Sequence, residues 1–411
     1  MRRYPRGYIQ LSEAAPGSTR DMYRSIALSV YLPSLFMAIC QGSVLLMIPL
    51  FALELGANPA TAALVFAMRG LGNMVMDVPA GYLTARLGDK WTMLLGVAVM
   101  SVVGFLATQC RSPWQLAAIA FCFGGAMGTW TLARLSHISD AIHVTQRGKA
   151  IAGMAGLQRF GNLIGPVCSG LVADQLGFKY VFVGIGLIAM FAFVFVVVNV
   201  KLNQKGHSKD SPGIFALIPH ILAGHWKVFA TAGVAILLLT VLRAGRQLLI
   251  PLWGESIGLD ATDIGLVVGL AASIDLLMFI PVGYILDNWG RKYSAISCLV
   301  ILALGLLLIP LSYDFITLAM ASMVAGFGNG LGSGINMTLG ADFSPKHERG
   351  EFLGVWRLVG DVGSFAGPII MGYIANTFVL ATAFSVSAGL GIVGVFIMAV
   401  FVKETLVKHE P

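Results

Sequence analysis

The sequence predicts an all-α membrane protein of twelve transmembrane helices, arranged as two six-helix halves. Three observations predict it. Hydrophobic residues make up 57% of the 411 positions and charged residues 11%, where a soluble chain carries about a quarter charged; mean hydropathy is +0.82. Apolar runs of about 20 residues, each long enough to cross ~30 Å of hydrocarbon, recur along the chain. Finally, the landmarks of the first half return at a constant displacement of 202 residues. Ile48-Pro49-Leu50 returns as Ile250-Pro251-Leu252, Gly88 and Lys90 as Gly290 and Lys292, and Gly165-Pro166 as Gly367-Pro368. Two same-sense repeats in a membrane chain need an even number of spans each, the frame on which a path between two rocking halves is built.

The spans fall near 27–51, 61–85, 91–109, 113–136, 150–174 and 180–200, then near 228–252, 263–286, 293–312, 315–339, 351–376 and 379–402. Backbone groups cannot stay unpaired in lipid, and these runs do not alternate in polarity as barrel strands do, so they are helices. The organisation is a tail at 1–26, a half at 27–200, a polar linker at 201–227 with a short interfacial helix around Ile214–Leu222, a half at 228–402 and a tail at 403–411. With both termini cytoplasmic, nineteen of the lysines and arginines face the cytoplasm and two, Arg111 and Lys179, face outward. The +7 net charge is therefore mostly a topology signal and not a nucleic-acid surface.

Residues 1–25 carry five arginines and lack the roughly 7–15-residue apolar segment of a signal peptide, so they read as a cytoplasmic tail. The five cysteines are scattered without a CxxC and read as small core residues. The seven histidines fall in loops, tails or helix ends, without metal-ligand spacing, and read as solvated. No GKS/GKT, HExxH or GxSxG is present, so neither an enzyme nor a metal or cofactor site is expected. The run Gly326-Phe-Gly328-Asn-Gly330-Leu-Gly332-Ser-Gly334 lies inside span ten, where it permits close approach or bending.

The turn after span two reads Gly81-Tyr-Leu-Thr-Ala-Arg-Leu-Gly88-Asp-Lys90, and the turn after span eight reads Gly283-Tyr-Ile-Leu-Asp287-Asn-Trp-Gly290-Arg291-Lys292. Tight turns need glycine, and basic residues pin them to an anionic leaflet. These turns resemble the signature loop of the major facilitator superfamily, Gly-x-Leu-Ala-Asp-Arg-x-Gly-Arg-Lys. The second copy has Asp287 in the acidic position; the first has Ala85 there, so either Asp77, two turns earlier, substitutes for the contact to span eleven or that half lacks the latch. Span five contains Gly161-x-x-x-Gly165-Pro166-x-x-Ser169-Gly170, similar to the motif in the family's antiporters, which implies export in exchange for protons. A related pattern at Gly363-x-x-x-Gly367-Pro368 keeps a second reading open, that both are packing hinges inherited by duplication.

Charges inside spans are costly and mark function or pairing. Here they are Arg69, Asp77, Arg134, Arg159, Arg243, Arg246, Asp275, Arg357 and Asp361. The resemblance implies that spans one, four, seven and ten surround a central cavity, with span two against eleven and five against eight. Arg243 and Arg246 lie ~22–27 Å from the cytoplasmic end of span seven, and Gln41 is the repeat mate of Arg243. The two arginines form a fork for an anionic group of a substrate, or else pair with Asp275 or carbonyls, or gate the outer side. Asp275, the deepest carboxylate, is a proton carrier or half of a permanent salt bridge; Asp361 and Asp77 are the other proton-coupling candidates. Arg159 at ~15 Å lies level with Asp275 at ~18 Å, and Asp77 at ~12 Å lies level with Arg357 at ~9 Å. Two ion pairs between the halves follow, Arg159–Asp275 and Asp77–Arg357, each closed in one access state.

The resulting expectation is a monomeric secondary transporter in a bacterial inner membrane, exporting a small organic amphiphile in exchange for protons. The six-to-three excess of arginine over aspartate within spans favours an anionic or zwitterionic substrate. The alternatives are proton- or anion-coupled uptake of an organic anion, and a non-transporting sensor or lipid-handling protein on the same scaffold.

Overall fold

The computed structural model describes residues 27–142, 144–200 and 214–406, and every regular element among them is helical. The expected tail at 1–26, the first part of the linker, and residues 407–411 lie outside the described residues. The first six passes are span one (Leu32–Glu54), two (Pro59–Leu87), three (Asp89–Ala107), four (Pro113–Ala141), five (Val144–Leu176) and six (Phe178–Asn199). After the linker helix Ile214–Gly224 come span seven (Val234–Ser256), eight (Ala261–Leu277 and Phe279–Asn288, bent by 42°) and nine (Arg291–Leu308). Span ten is broken into Phe315–Leu331 and Ile335–Phe343, and spans eleven (Arg349–Thr377) and twelve (Leu380–Phe401) complete the bundle.

Among the described residues, nine helices are long and apolar enough to cross a membrane, and the bent pair of span eight makes a tenth. Spans two and five have the length, 29 and 33 residues. They fall short in apolarity, and their polar side chains include Asp77 and Arg159, which reach the other half.

The repeat in the sequence is a repeat in the capping. At the end of the bundle where spans two, four, eight and ten begin, Asn58 accepts from Thr61 N–H (2.8 Å) and its mate Asp260 from Asp263 N–H (2.7 Å). Ser112 and its mate Asp314 start spans four and ten in the same way. At the opposite end, rich in lysine and arginine and here termed the basic end, Gly88 and Gly290 turn the chain at φ +84° and +112°. Lys90 Nζ donates to the Val197 carbonyl (2.8 Å), and Lys292 Nζ to that of Ala399 (2.6 Å). The signature-turn lysines thus neutralise the C-terminal ends of spans six and twelve.

Packing follows the same duplication. A side chain on Gly165 would meet the Ile39 carbonyl at 2.5 Å, and one on Gly161 would collide with Ala38, so span five lies directly on span one. Gly363 and Gly367 press span eleven onto Thr240 and Val241 of span seven, the repeat mates of Ala38 and Ile39. The glycine motif therefore has a packing role in both halves.

The halves meet along two seams, spans five with eight and two with eleven, and both are tightest away from the basic end. Gly170 abuts Ala261 and Gly265, and Gly372 abuts Ala63. There Leu248, Leu252 and Ile264 of the second half join the core of the first. At the basic end, side chains added at Gly81, Gly148, Gly283 or Gly350 would find open space. Asp287 is exposed there, with no ion-pair or hydrogen-bond partner among the described residues.

Two sequence expectations need correction. Cys122 and Cys168 are exposed on the outer surface; Cys40, Cys110 and Cys298 are buried. His137 is buried, its Nδ1 3.9 Å from Asp89, because span four runs on to Ala141 and carries it into the bundle.

Just past span twelve, Glu404 accepts from the backbone N–H groups of Arg291 (2.9 Å) and Lys292 (3.0 Å), capping span nine. Burial pushes its carboxyl up, but four backbone donors outweigh that and hold it below the usual value. A depressed carboxylate stabilises above its unfolded pKa and ceases to as pH falls through its folded one. Glu404→Gln should therefore lower the melting temperature in detergent at neutral pH, and the deficit should begin to shrink below the unfolded value of about 4.3 and close as pH falls through the depressed folded one. Gly165→Val and Gly367→Val should each cost about 1–3 kcal/mol by overpacking, whereas Gly81→Ala should leave the melting temperature near wild type.

Candidate functional site

A cavity of about 380 Å³ lies between the halves, lined from spans one, five, seven, eight and ten. Its walls are apolar at Leu45, Leu46, Ile250, Pro251 and Val268. Four charged residues complete the lining, Arg159, Arg243, Arg246 and Asp275. Span four, expected at the cavity, is screened from it. Gln158 of span five stands between, accepting from Arg134 Nη2 (3.2 Å) and donating to Gln41 Oε1 (3.0 Å). Gln41 thus reaches the cavity wall through Gln158.

Arg159 Nη1 donates to Asp275 Oδ2 at 2.9 Å across the seam of spans five and eight. The Phe279 ring sits 5.0 Å from the guanidinium carbon of Arg159. Both side chains are about four-fifths buried, and Asp275 Oδ1 is buried without a hydrogen-bond partner. Asp275 therefore holds one oxygen on the first half and keeps one uncommitted.

The two arginines of span seven are in different situations. Arg243 Nη2 donates to the carbonyl of Gly332 (2.9 Å) and lies 3.5 Å from that of Asn329, both at the break in span ten. Arg246, one turn on, has a buried Nε with no partner and makes no hydrogen bond among the described residues. Of the proposed fork, one arm clamps backbone and the other is free.

On the second seam, Arg357 Nη2 donates to Asp77 Oδ1 at 2.7 Å, and Arg357 Nε is 3.8 Å from Asp361 Oδ2, one helical turn along span eleven. Asp77 thereby ties span two to span eleven in a half whose signature turn lacks its acidic residue. This triad lies outside the cavity. Of the three proton-coupling candidates, Asp275 is the one in the cavity wall.

Sequence reasoning passed over Gln158, Asn162, Asn329 and Ser333, all cavity-lining. They are neutral, and the search for in-span charges does not register them. Gln158 beside Arg159, and Ser333 within the glycine run, were the available signals.

Asp275→Asn and Arg159→Gln should each destabilise the protein by about 1.5–3 kcal/mol, the cost of losing a charge-assisted bond. Arg159→Asp combined with Asp275→Arg should recover much of the loss. The check is thermal unfolding of the singles and the double in one detergent; a double variant no better than the worse single would mean that the pair contributes nothing by its charge.

The family model of the Major Facilitator Superfamily matches residues 30–247 and again 235–411, one match per half. The "probable nitrate transporter NarT" of Staphylococcus epidermidis is 22% identical over 80% of this chain and 84% of its own length. The "quinolone resistance protein NorA" of Staphylococcus aureus is 22% identical over 87% of this chain and 92% of its own. The solved structure of the nucleoside transporter NupG superposes with a TM-score of 0.71 at 15% identity, covering 92% of this chain and 98% of that one. The chain is a multi-pass integral membrane protein of the transporter type and belongs to the Major Facilitator Superfamily.

Proposed function

We propose that this transporter moves a small zwitterionic or anionic amphiphile by alternating access, and that its leading mode is export in exchange for protons. The observation that carries the reading is the cavity wall itself, where the Arg159–Asp275 pair bridging the halves stands beside an uncommitted guanidinium, Arg246. Under the positive-inside rule the basic end is read as cytoplasmic, and on that reading the described state, tightest at the other end, faces inward.

The coupling follows from Asp275. Its free Oδ1 can take a proton or the cationic group of a substrate, but not both. If the substrate is a zwitterion, its carboxylate meets Arg246 and its ammonium meets Asp275. Proton and substrate then compete for one oxygen, which is the requirement for antiport. Protonation also removes the charge that holds Arg159 Nη1, loosening the seam of spans five and eight and biasing the equilibrium between access states. The Asp77–Arg357 pair on the other seam is closed in this same state. The likeness to NorA favours export.

The second reading is uptake of an organic anion together with a proton. Three arginines against one aspartate, and the likeness to NarT, favour it. Here protonation of Asp275 would make the cavity more positive and strengthen anion binding, which is the requirement for symport.

The sign of proton movement separates the two. In proteoliposomes loaded with a pH-sensitive dye, a panel of zwitterionic and anionic aromatic compounds is added without an imposed gradient. Antiport requires protons to move against the added compound, and symport requires them to move with it. Asp275→Asn should abolish proton movement while retaining exchange of substrate for substrate. Uphill transport driven by a pH gradient in that variant would remove Asp275 from the coupling.

A further inference from the structure

The break in span ten has chemistry that the proposed transport cycle does not yet use. Gly334 sits at φ +79° and separates Phe315–Leu331 from Ile335–Phe343, a helix of nine residues. Asn329, Ser333 and Gly334 all line the cavity. The N-terminus of Ile335–Phe343 therefore opens onto it, where backbone N–H groups and the helix dipole favour negative charge. Among the described hydrogen bonds, Ile335 N–H is taken by Gly332 and Thr338 N–H by Gly334, which leaves those of Asn336 and Met337.

A second observation points to a ligand at the same place. Ser333 is 5% exposed, and its Oγ is buried with no hydrogen-bond partner. A buried hydroxyl costs about 1–3 kcal/mol when unsatisfied, and this one sits at the cavity wall. The other end of the break is already compensated, because Arg243 occupies the Gly332 carbonyl. That bond fixes the unwound turn in register and brings span seven against it, with Arg246 one turn away facing the same cavity.

We infer that the break in span ten is an anion subsite, in which the carboxylate of an organic substrate docks between Ser333 Oγ, the N-terminus of Ile335–Phe343 and the guanidinium of Arg246. Arg243 is a positioning residue that holds the unwound turn in place and does not touch the ligand. A planar carboxylate suits the site, since one oxygen can face the edge of a single guanidinium while the other takes the hydroxyl and the helix start. The inference rests on the reading of the cavity as a site for anionic or zwitterionic molecules, and it names the group that reads the negative end.

The test uses the purified full-length chain in detergent, with benzoate as probe, benzamide as its uncharged isostere, and thermal stabilisation as the readout. Wild type should be stabilised by benzoate and not by benzamide. Arg246→Gln should abolish the benzoate effect. Ser333→Ala should weaken benzoate about three- to tenfold with a ligand-free melting temperature no lower than that of wild type, and Ser333→Thr should restore benzoate binding. Arg243→Lys, which keeps the charge but not the guanidinium geometry, should weaken benzoate as well. If Ser333→Ala and Arg243→Lys bind benzoate like wild type while Arg246→Gln does not, the subsite is wrong and the anion-binding cavity stands. If wild type and Arg246→Gln respond alike to benzoate and benzamide, both fall.

Discussion

A charge held inside hydrocarbon is costly without a partner, and where the partners stand decides most of what this bundle can do. The arginines and aspartates of the spans could have been neutralised within one half, leaving the halves free of each other. Instead, Arg159 reaches Asp275 and Arg357 reaches Asp77 across the two seams. Rigid halves joined by ion pairs have a bistable contact between them, and either partner's charge state biases it. The glycine contacts that press the seams together lie away from the basic end.

The duplication explains the frame, and its failures explain the site. Caps, turn glycines, lysine contacts and glycine packing all repeat at the same displacement, because each answers the same demand of helix geometry in both halves. The cavity departs from this. Gln41 stands where the second half has Arg243, Asn73 where it has Asp275, and Arg159 where it has Asp361. The turn glycines, turn lysines and packing glycines match residue for residue, while the mates of the charged cavity residues Arg243, Asp275 and Arg159 differ in charge. The result is a pocket with a positive wall on span seven and a lone carboxylate on span eight, able to distinguish the two ends of a molecule.

The fold was legible in the sequence because its signals are additive: some twenty apolar residues make a span, and a fixed spacing makes a repeat. Depth was legible as well, since a helix rises by a constant ~1.5 Å per residue, which is enough to set Arg159 level with Asp275. Helix azimuth was not. Whether Arg243 turned toward the cavity or toward the Gly332 carbonyl depended on where span ten breaks, and the glycine run allowed a break at several places. Gln41 lies behind Gln158 for the same reason: depth put it at the cavity, and rotation put a neighbour in front. His137 escaped notice because a span boundary was placed five residues short of Ala141. Ser333 carries no charge, and its significance comes from an unsatisfied hydroxyl that a sequence cannot display.

The claim on which the rest turns is that protonation of Asp275 shifts the balance between access states by releasing Arg159. Spin labels at Ala85 and Gly350, exposed positions at the basic ends of spans two and eleven, report the opening of the halves by pulsed electron–electron distance measurement. In lipid nanodiscs, lowering the pH should move the wild-type distribution toward shorter distances as the basic end closes. Asp275→Asn should show the short-distance distribution at neutral pH and no further response to acid. A distribution that responds to pH equally in wild type and Asp275→Asn, or in neither, would contradict it.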